Sequence, residues 1–263
     1  MKNREEFTQT NRIMWNETAA VHQNNYVDNL LTRISAPDYC TFDAVEKRLF
    51  AQIDLCGKNV VQPSCNNARE LIAVKKAGAG RCLGLDISDQ FITQGKALAQ
   101  AGNVEIELVQ TDLFDIGSEY DQQFDVVYVT VGAIGWLPDL ANYFKLLARM
   151  LRPGGQLFMY EMHPAMFMFE QDTGLLVVED YFDRSPFHET EPDADYMDPS
   201  ATITSPSYWF QHTLGDILGQ CLTNSLQITH FDEYRHDIAN VGAFMEAEKA
   251  CPPLCFSLIA QKN

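Results

Sequence analysis

Short apolar runs alternate with helical patterns between residues 58 and 161, which predicts an α/β fold built on a doubly wound, mostly parallel sheet. Three observations carry this expectation. The runs are too short for helices and rich in Val, Leu and Phe, the segments between them repeat apolar residues at helical spacing, and several runs end on an acid.

Lys58–Gln62 gives a brief strand signal. Asn67 is a good helix N-cap, Glu70 is spaced to close a capping box, and the helix should run to Ala77 with Gly78 at C′. Arg81–Asp86 is the second strand, ending in a carboxylate. Ser88 caps a helix to Ala101, stopped by Gly102. Val104–Thr111 alternates with period two and delivers Asp112, while Phe124–Thr130 is a fourth, near-continuous apolar strand. Leu140, Phe144, Leu147 and Leu151 share one helix face, Arg152-Pro-Gly-Gly155 ends that helix, and Gln156–Glu161 is a fifth strand. Residues 213–223 then read as a helix, Ser225–His230 as a strand and Leu254–Gln261 as a final strand. The first 50 residues read as a helical N-terminal cap, with Trp15, Tyr26, Leu30 and Leu31 as packing residues. The α/β domain follows over 51–263.

The chain of 263 residues is 46% hydrophobic, an ordinary globular composition. No apolar run reaches the length of a membrane span, and the polar start Met1–Arg12 lacks a secretory core. A net charge of −17 repels phosphate backbones and anionic lipid, so neither nucleic acid nor a membrane surface is expected as a partner. Seven cysteines at irregular spacing predict reduced thiols and a cytoplasmic address. Cys251 and Cys255 have no second pair, and the histidines lack metal spacing, so no metal is expected.

Residues 161–200 carry eleven acids and one base, Arg184, together with Pro186, Pro192 and Pro199. They also carry Phe167, Phe169, Tyr181, Phe182, Phe187 and Tyr196, which a disordered acidic tail would lack. This predicts an irregular insertion packed on the body, with residues 165–210 as a lid.

In an open parallel sheet, ligands bind beyond the carboxyl ends of the strands. The residues to examine are therefore Gln62–Ala68, Asp86, Asp112 with Leu113, Thr130–Ile134, and Glu161–His163. Asp86 is placed to accept both hydroxyls of a ribose. Asp112 is placed to accept from an adenine amino group, with Leu113 against the ring. His163 follows the fifth strand, and Tyr208, Trp209 and His212 end the insertion. His163, Tyr208 and His212 are the candidates for catalysis or acceptor binding, beside the alternative that they only pack.

Phe124-Asp-Val-Val-Tyr-Val-Thr, Trp136-Leu-Pro-Asp-Leu, Leu151-Arg-Pro-Gly-Gly and Leu83-Gly-Leu-Asp-Ile-Ser together resemble the class I S-adenosylmethionine-dependent methyltransferases. The resemblance covers residues 55–161 well and the C-terminal helix and strands more loosely. It implies a Rossmann-like sheet of seven strands, with Leu254–Gln261 antiparallel between the fifth and sixth. It also implies S-adenosyl-L-methionine as cofactor, Ile87 beside the ribose acid, and in-line methyl transfer to a small-molecule acceptor. Gln62 stands where the family has an acid, and Ser64, Asn66 and Ala68 stand where it has three glycines. Asn best tolerates left-handed backbone, the neighbours are small, and Gln62 keeps an acceptor for a cofactor amine. The expected cofactor-binding residues are Gln62, Ser64, Asn66, Asp86, Ile87, Asp112, Leu113 and Thr130. The alternative is a catalytically inactive cofactor-fold protein that serves as a binding or partner subunit. A nicotinamide-dependent dehydrogenase would share the acid after the second strand but requires a G-x-G-x-x-G turn that is absent.

Overall fold

A computed structural model describes residues 4–25, 27–170 and 175–263. Tyr26, expected to pack, lies outside the described residues. Three helices come first: α1 (Arg4–Asn25), α2 (Val27–Ile34) and α3 (Ala44–Ile53). The alternating unit follows as β1 (Val60–Pro63), α4 (Arg69–Lys76), β2 (Cys82–Asp86), α5 (Asp89–Ala101), β3 (Glu107–Gln110), β4 (Phe124–Val129), α6 (Leu140–Met150) and β5 (Leu151–Met162). The insertion holds four short strands, β6 (Phe187–Glu189), β7 (Asp193–Ala194), β8 (Thr202–Ile203) and β9 (Ser207–Trp209). The chain closes with α7 (Leu214–Thr223), β10 (Leu226–Tyr234), α8 (Ala243–Ala247) and β11 (Cys255–Lys262).

The seven-stranded sheet runs β3-β2-β1-β4-β5-β11-β10. The first five strands are mutually parallel, and β11 is antiparallel to both its neighbours, as the resemblance implied. Period-two alternation sends Val60, Val126, Tyr128 and Phe158 to one face, where they meet Leu30 and Ile34 of α2, Leu49 and Phe50 of α3, and Leu71 of α4. Val61, Val127, Val129 and Leu157 go to the other, against Tyr143, Phe144 and Leu147 of α6 and Ile217 of α7. Both faces are covered, which is why these strands read as continuous apolar runs. The chain order reverses direction between β1 and β4, and the ends of those strands mark the crevice.

Three local expectations change. Helix α4 begins at Arg69, with Ala68 rather than Asn67 at its N-cap, because left-handed backbone at Ser64, Asn66 and Ala68 keeps the chain out of the helix until then. Arg152–Gly155 belongs to β5 itself, where a register shift against β4 absorbs it. Gly102 is right-handed at the end of α5 and Asn103 (φ 48°) takes the left-handed position; a Cβ on Gly102 would press on Ile34 at 3.1 Å.

Candidate active site

The β1–α4 turn contains no glycine between Pro63 and Arg69 yet takes left-handed backbone at three positions. Ser64 (φ 55°), Asn66 (φ 51°) and Ala68 (φ 59°) all sit in the left-handed region. Each non-glycine residue there costs about 1–2 kcal/mol, so the turn is held by its surroundings. Asp86, at the end of β2, accepts from the Asn66 N–H at 2.7 Å and from the Ser88 N–H at 2.8 Å. The Cys65 N–H donates to the Leu85 carbonyl at 2.9 Å. The sheet register thus ties the turn to the acid beside it. Burial pushes the Asp86 carboxyl up to about 6, against the pull of those N–H donors.

Gln62 is fully buried beneath the turn. Its amide nitrogen donates to the Thr130 hydroxyl at 3.2 Å, and its Oε1 has no hydrogen-bond partner among the described residues. Asp112 caps a short turn by accepting from the Phe114 N–H at 3.0 Å. Thr130 opens the loop after β4, whose shape is fixed from below by Glu161. That buried carboxylate, at the end of β5, accepts from the N–H groups of Gly132, Ala133 (2.8 Å), Ile134 (3.1 Å) and Met162 (2.8 Å). Burial raises it to about 7.

A cavity of about 830 Å³ stands over these strand ends. Its walls include Ser64, Asn66, Asp86, Ile87, Asp112, Leu113 and Thr130, seven of the eight residues expected to bind cofactor; Gln62 is reached only through Thr130. The opposite wall is aromatic, with Trp136 and Trp209 edge to face at 5.0 Å and Phe167 at 5.3 Å from Trp209. The volume lies within the range of about 300–1,000 Å³ usual for small-molecule sites.

The roof is made by α1 and the insertion. Asn11 donates to the Tyr208 carbonyl at 2.9 Å and accepts from its N–H at 2.7 Å. Glu17 accepts from the N–H groups of Thr204 and Ser205. His22 pairs with Asp195, both nearly fully buried, at 3.1 Å. Desolvation lowers the His22 pKa, while Asp195 also accepts from the N–H groups of Met197 and Asp198. On the β2 side, α1 is fixed by Arg12 and Asn16 to Asp89 and by Asn16 to Ser88. Asn11, Trp15, Thr18 and His22 fall at i, i+4, i+7 and i+11, one helical stripe carrying buried polar groups. That spacing was readable, but polar residues on a core-facing stripe resemble a solvated face.

None of the three catalytic candidates lines the large cavity. His163 is buried as an N-cap: its Nδ1 accepts from the Ala165 N–H at 3.1 Å and its Nε2 faces Glu233 at 2.9 Å. Tyr208 is buried in β9, its ring against Phe7 and His188. His212 borders a small side pocket and holds the Leu137 carbonyl at 2.9 Å. The cavity walls instead bring in Trp136, which the sequence offered only as part of a family motif, and Arg69, Trp15 and Tyr196, which had no motif to announce them. Among the described residues, no three His, Cys, Asp or Glu side chains could hold a metal, and no helix is long and apolar enough to cross a membrane.

Residues 61–159 match a family model described as a methyltransferase domain. The demethylmenaquinone methyltransferase of Bacillus subtilis (strain 168) is 32% identical over 120 residues, covering 44% of this chain and 50% of that protein. The chain thus matches about half the length of such curated relatives. An S-adenosylmethionine-dependent methyltransferase structure from Mesorhizobium loti aligns with a TM-score of 0.62 at 20% identity, covering 84% of this chain and 98% of that one. A geranyl diphosphate C-methyltransferase from Streptomyces coelicolor A3(2), solved with S-adenosyl-L-homocysteine, aligns with a TM-score of 0.56 at 11% identity, covering 82% and 78%. Family model and architecture agree: residues 61–159 match a methyltransferase domain, and the chain has the fold of S-adenosylmethionine-dependent methyltransferase structures.

Proposed function

We propose that this protein transfers a methyl group from S-adenosyl-L-methionine to a small-molecule acceptor held beneath a lid of α1 and residues 165–210. The observation that carries the reading is the continuity of one cavity. The left-handed turn, Asp86 and Asp112 stand at one side of it and an aromatic wall at the other.

The residues fit the cofactor. Asp86 is adjacent to the turn through the Asn66 N–H, so a ribose on its carboxylate lies beside backbone that has room for close approach. Asp112 and Leu113, beyond β3, suit an adenine ring and its amino group. The unpartnered Oε1 of Gln62 is an acceptor in the place where the family has an acid, suited to an ammonium group. When bound, the cofactor supplies a methyl group on a sulfonium, an electrophile with an excellent leaving group. The protein's part is then to hold the acceptor atom about 3 Å from that methyl, in line, and to keep water out. Glu161 fixes the 132–134 loop, and Trp136, Phe167 and Trp209 present flat apolar surface for the acceptor.

The cavity's outer wall carries Glu170, Glu179, Asp180, Asp183, Glu189 and Asp193. A polyanionic acceptor is repelled by such a rim, so the acceptor class we favour is neutral or cationic with an apolar body. The cytoplasm suits a protein whose seven cysteines are all free thiols. Calorimetric titration with S-adenosyl-L-methionine and S-adenosyl-L-homocysteine tests the reading, followed by transfer of labelled methyl to a panel of amines and phenols. Stoichiometric binding and labelled product are expected. Absence of binding would leave the inactive partner-subunit reading in its place.

A further inference from the structure

Among the described residues nine carboxylates line the cavity, including Glu70, Asp86 and Asp112 on the cofactor side, and one base does so, Arg69. The cofactor proposed above carries a carboxylate on its amino-acid end. In a cavity of this charge, that carboxylate needs a cation. Arg69 is the first residue of α4, directly after the left-handed turn, and its side chain is 30% exposed. Its Nε pairs with Glu70 at 2.5 Å, which orients the guanidinium from one side. The α4 N-terminus adds to this. Ala68 at the N-cap makes no side-chain hydrogen bond, so the first-turn N–H groups and the positive end of the helix are not neutralised by a cap.

A second group arrives from the insertion. Tyr196 follows Asp195, whose pairing with His22 fixes that segment against α1. Its ring packs edge-on to His22 at 5.2 Å and Trp15 at 6.3 Å. It remains 44% exposed while lining the cavity, and its hydroxyl is in hydrogen-bonding contact with the Asn66 side chain. The insertion after β5 therefore reaches the turn proposed to hold the cofactor's methionine part.

We propose that Arg69 and Tyr196 form the carboxylate-binding end of the cofactor site, so that the insertion completes the cofactor pocket as well as covering the acceptor. The inference rests on the cofactor reading above, and its test separates the two. Binding of S-adenosyl-L-homocysteine is compared with binding of 5′-methylthioadenosine, which keeps the nucleoside and lacks the amino-acid end. Arg69→Met should weaken S-adenosyl-L-homocysteine about 10- to 100-fold and leave 5′-methylthioadenosine unchanged. Arg69→Lys should retain an intermediate affinity, since a point charge survives without the fork. Tyr196→Phe should weaken S-adenosyl-L-homocysteine by a smaller factor, about 3- to 10-fold, with the same selectivity. Thermal melting of each variant reports its folding. An unchanged affinity of Arg69→Met for S-adenosyl-L-homocysteine overturns the assignment, as does an equal loss for both ligands. Failure of the parent protein to bind either ligand overturns the cofactor reading itself.

Discussion

The floor and the roof of the cavity are built by different means. The floor is backbone: strand ends in fixed register, with two buried carboxylates, Asp86 and Glu161, each gathering main-chain N–H groups from the loops above. The roof is hung from side chains: Asn11, Glu17 and His22 of α1 each hold a separate stretch of the insertion. A floor of this kind yields only if a sheet or its anchoring acid is lost. A roof of this kind can be unhooked locally while the sheet stays folded. The comparison therefore predicts which substitutions damage cofactor binding and which damage only enclosure.

The largest effect is expected at Asp86. Asp86→Ala removes the acceptor for the ribose and for the Asn66 and Ser88 N–H groups. Cofactor binding should weaken by about 2–4 kcal/mol, read by calorimetry, with the circular dichroism of the sheet retained. The pH dependence follows from the same carboxylate. Ribose hydroxyls donate to the ionised form, and burial holds the folded pKa at about 6. Affinity should be full above about pH 6 and decline as pH falls below it, while Asp86→Asn should be weak and flat across the range. For stability the sign is opposite. A carboxyl whose folded pKa is raised favours the folded state at low pH, and that contribution is lost as pH rises from about 4 to 6. A cofactor affinity that strengthens on acidification would contradict the role assigned to Asp86.

Asp195 is the corresponding point in the roof. Asp195→Ala leaves the N–H groups of Met197 and Asp198 without their acceptor and His22 without its partner. The expected cost is about 2–3 kcal/mol, concentrated in one region. Hydrogen exchange should accelerate over residues 193–210 and along the last turns of α1, with β1, β4 and β5 still protected. Acceleration spread evenly over the sheet would show that roof and floor unfold together, against the distinction drawn here.

The same division explains what the sequence disclosed. The strands of the alternating unit and the acids Asp86 and Asp112 at their ends were legible because periodicity and strand endings are local signals, whereas the antiparallel β11 was implied by the family resemblance. The start of α4 was misplaced: a sequence reads Asn67 and Glu70 as a capping box, whereas left-handed backbone at Ser64, Asn66 and Ala68 postpones the helix, and Glu70 turns to Arg69 instead. His163 was drawn in by its place after β5, but its ring folds back to cap the next turn. Tyr196 and Trp15 were invisible as site residues, since they are brought together by α1 docking on an insertion that has no regular period.

Gly135 tests how tightly the roof is seated on the floor. It lies in the loop shaped by Glu161, and a Cβ there would run into the Trp209 ring. Because that ring is packed between Trp136 and Phe167, the clash has no cheap relief. Gly135→Ala should cost about 1–3 kcal/mol and shift Trp209, seen as altered tryptophan fluorescence. Methyl transfer should fall while S-adenosyl-L-homocysteine binding stays within a few-fold of the parent, because the displaced wall is on the acceptor side.

The smallest effect lies within the floor and separates two residues of one turn. Ala68 (φ 59°) and Asn66 (φ 51°) both occupy left-handed backbone. Ala68 is fully buried in the core and its methyl makes no polar contact, so Ala68→Gly relieves the left-handed strain but loses about 0.8 kcal/mol of buried apolar surface. Glycine's greater freedom in the unfolded chain offsets part of that gain. The net change should lie within about 0.5 kcal/mol of zero, measured by chemical denaturation, with cofactor affinity preserved. Asn66→Gly relieves less strain, because Asn tolerates this region better. It also loses the 2.8 Å bond that the Asn67 N–H donates to Oδ1 and the contact with Tyr196. That variant should be less stable than Ala68→Gly and should bind cofactor more weakly than it does. Equal behaviour of the two would mean that Asn66 is only a substitute for glycine, and that the insertion has no hold on the turn beneath it.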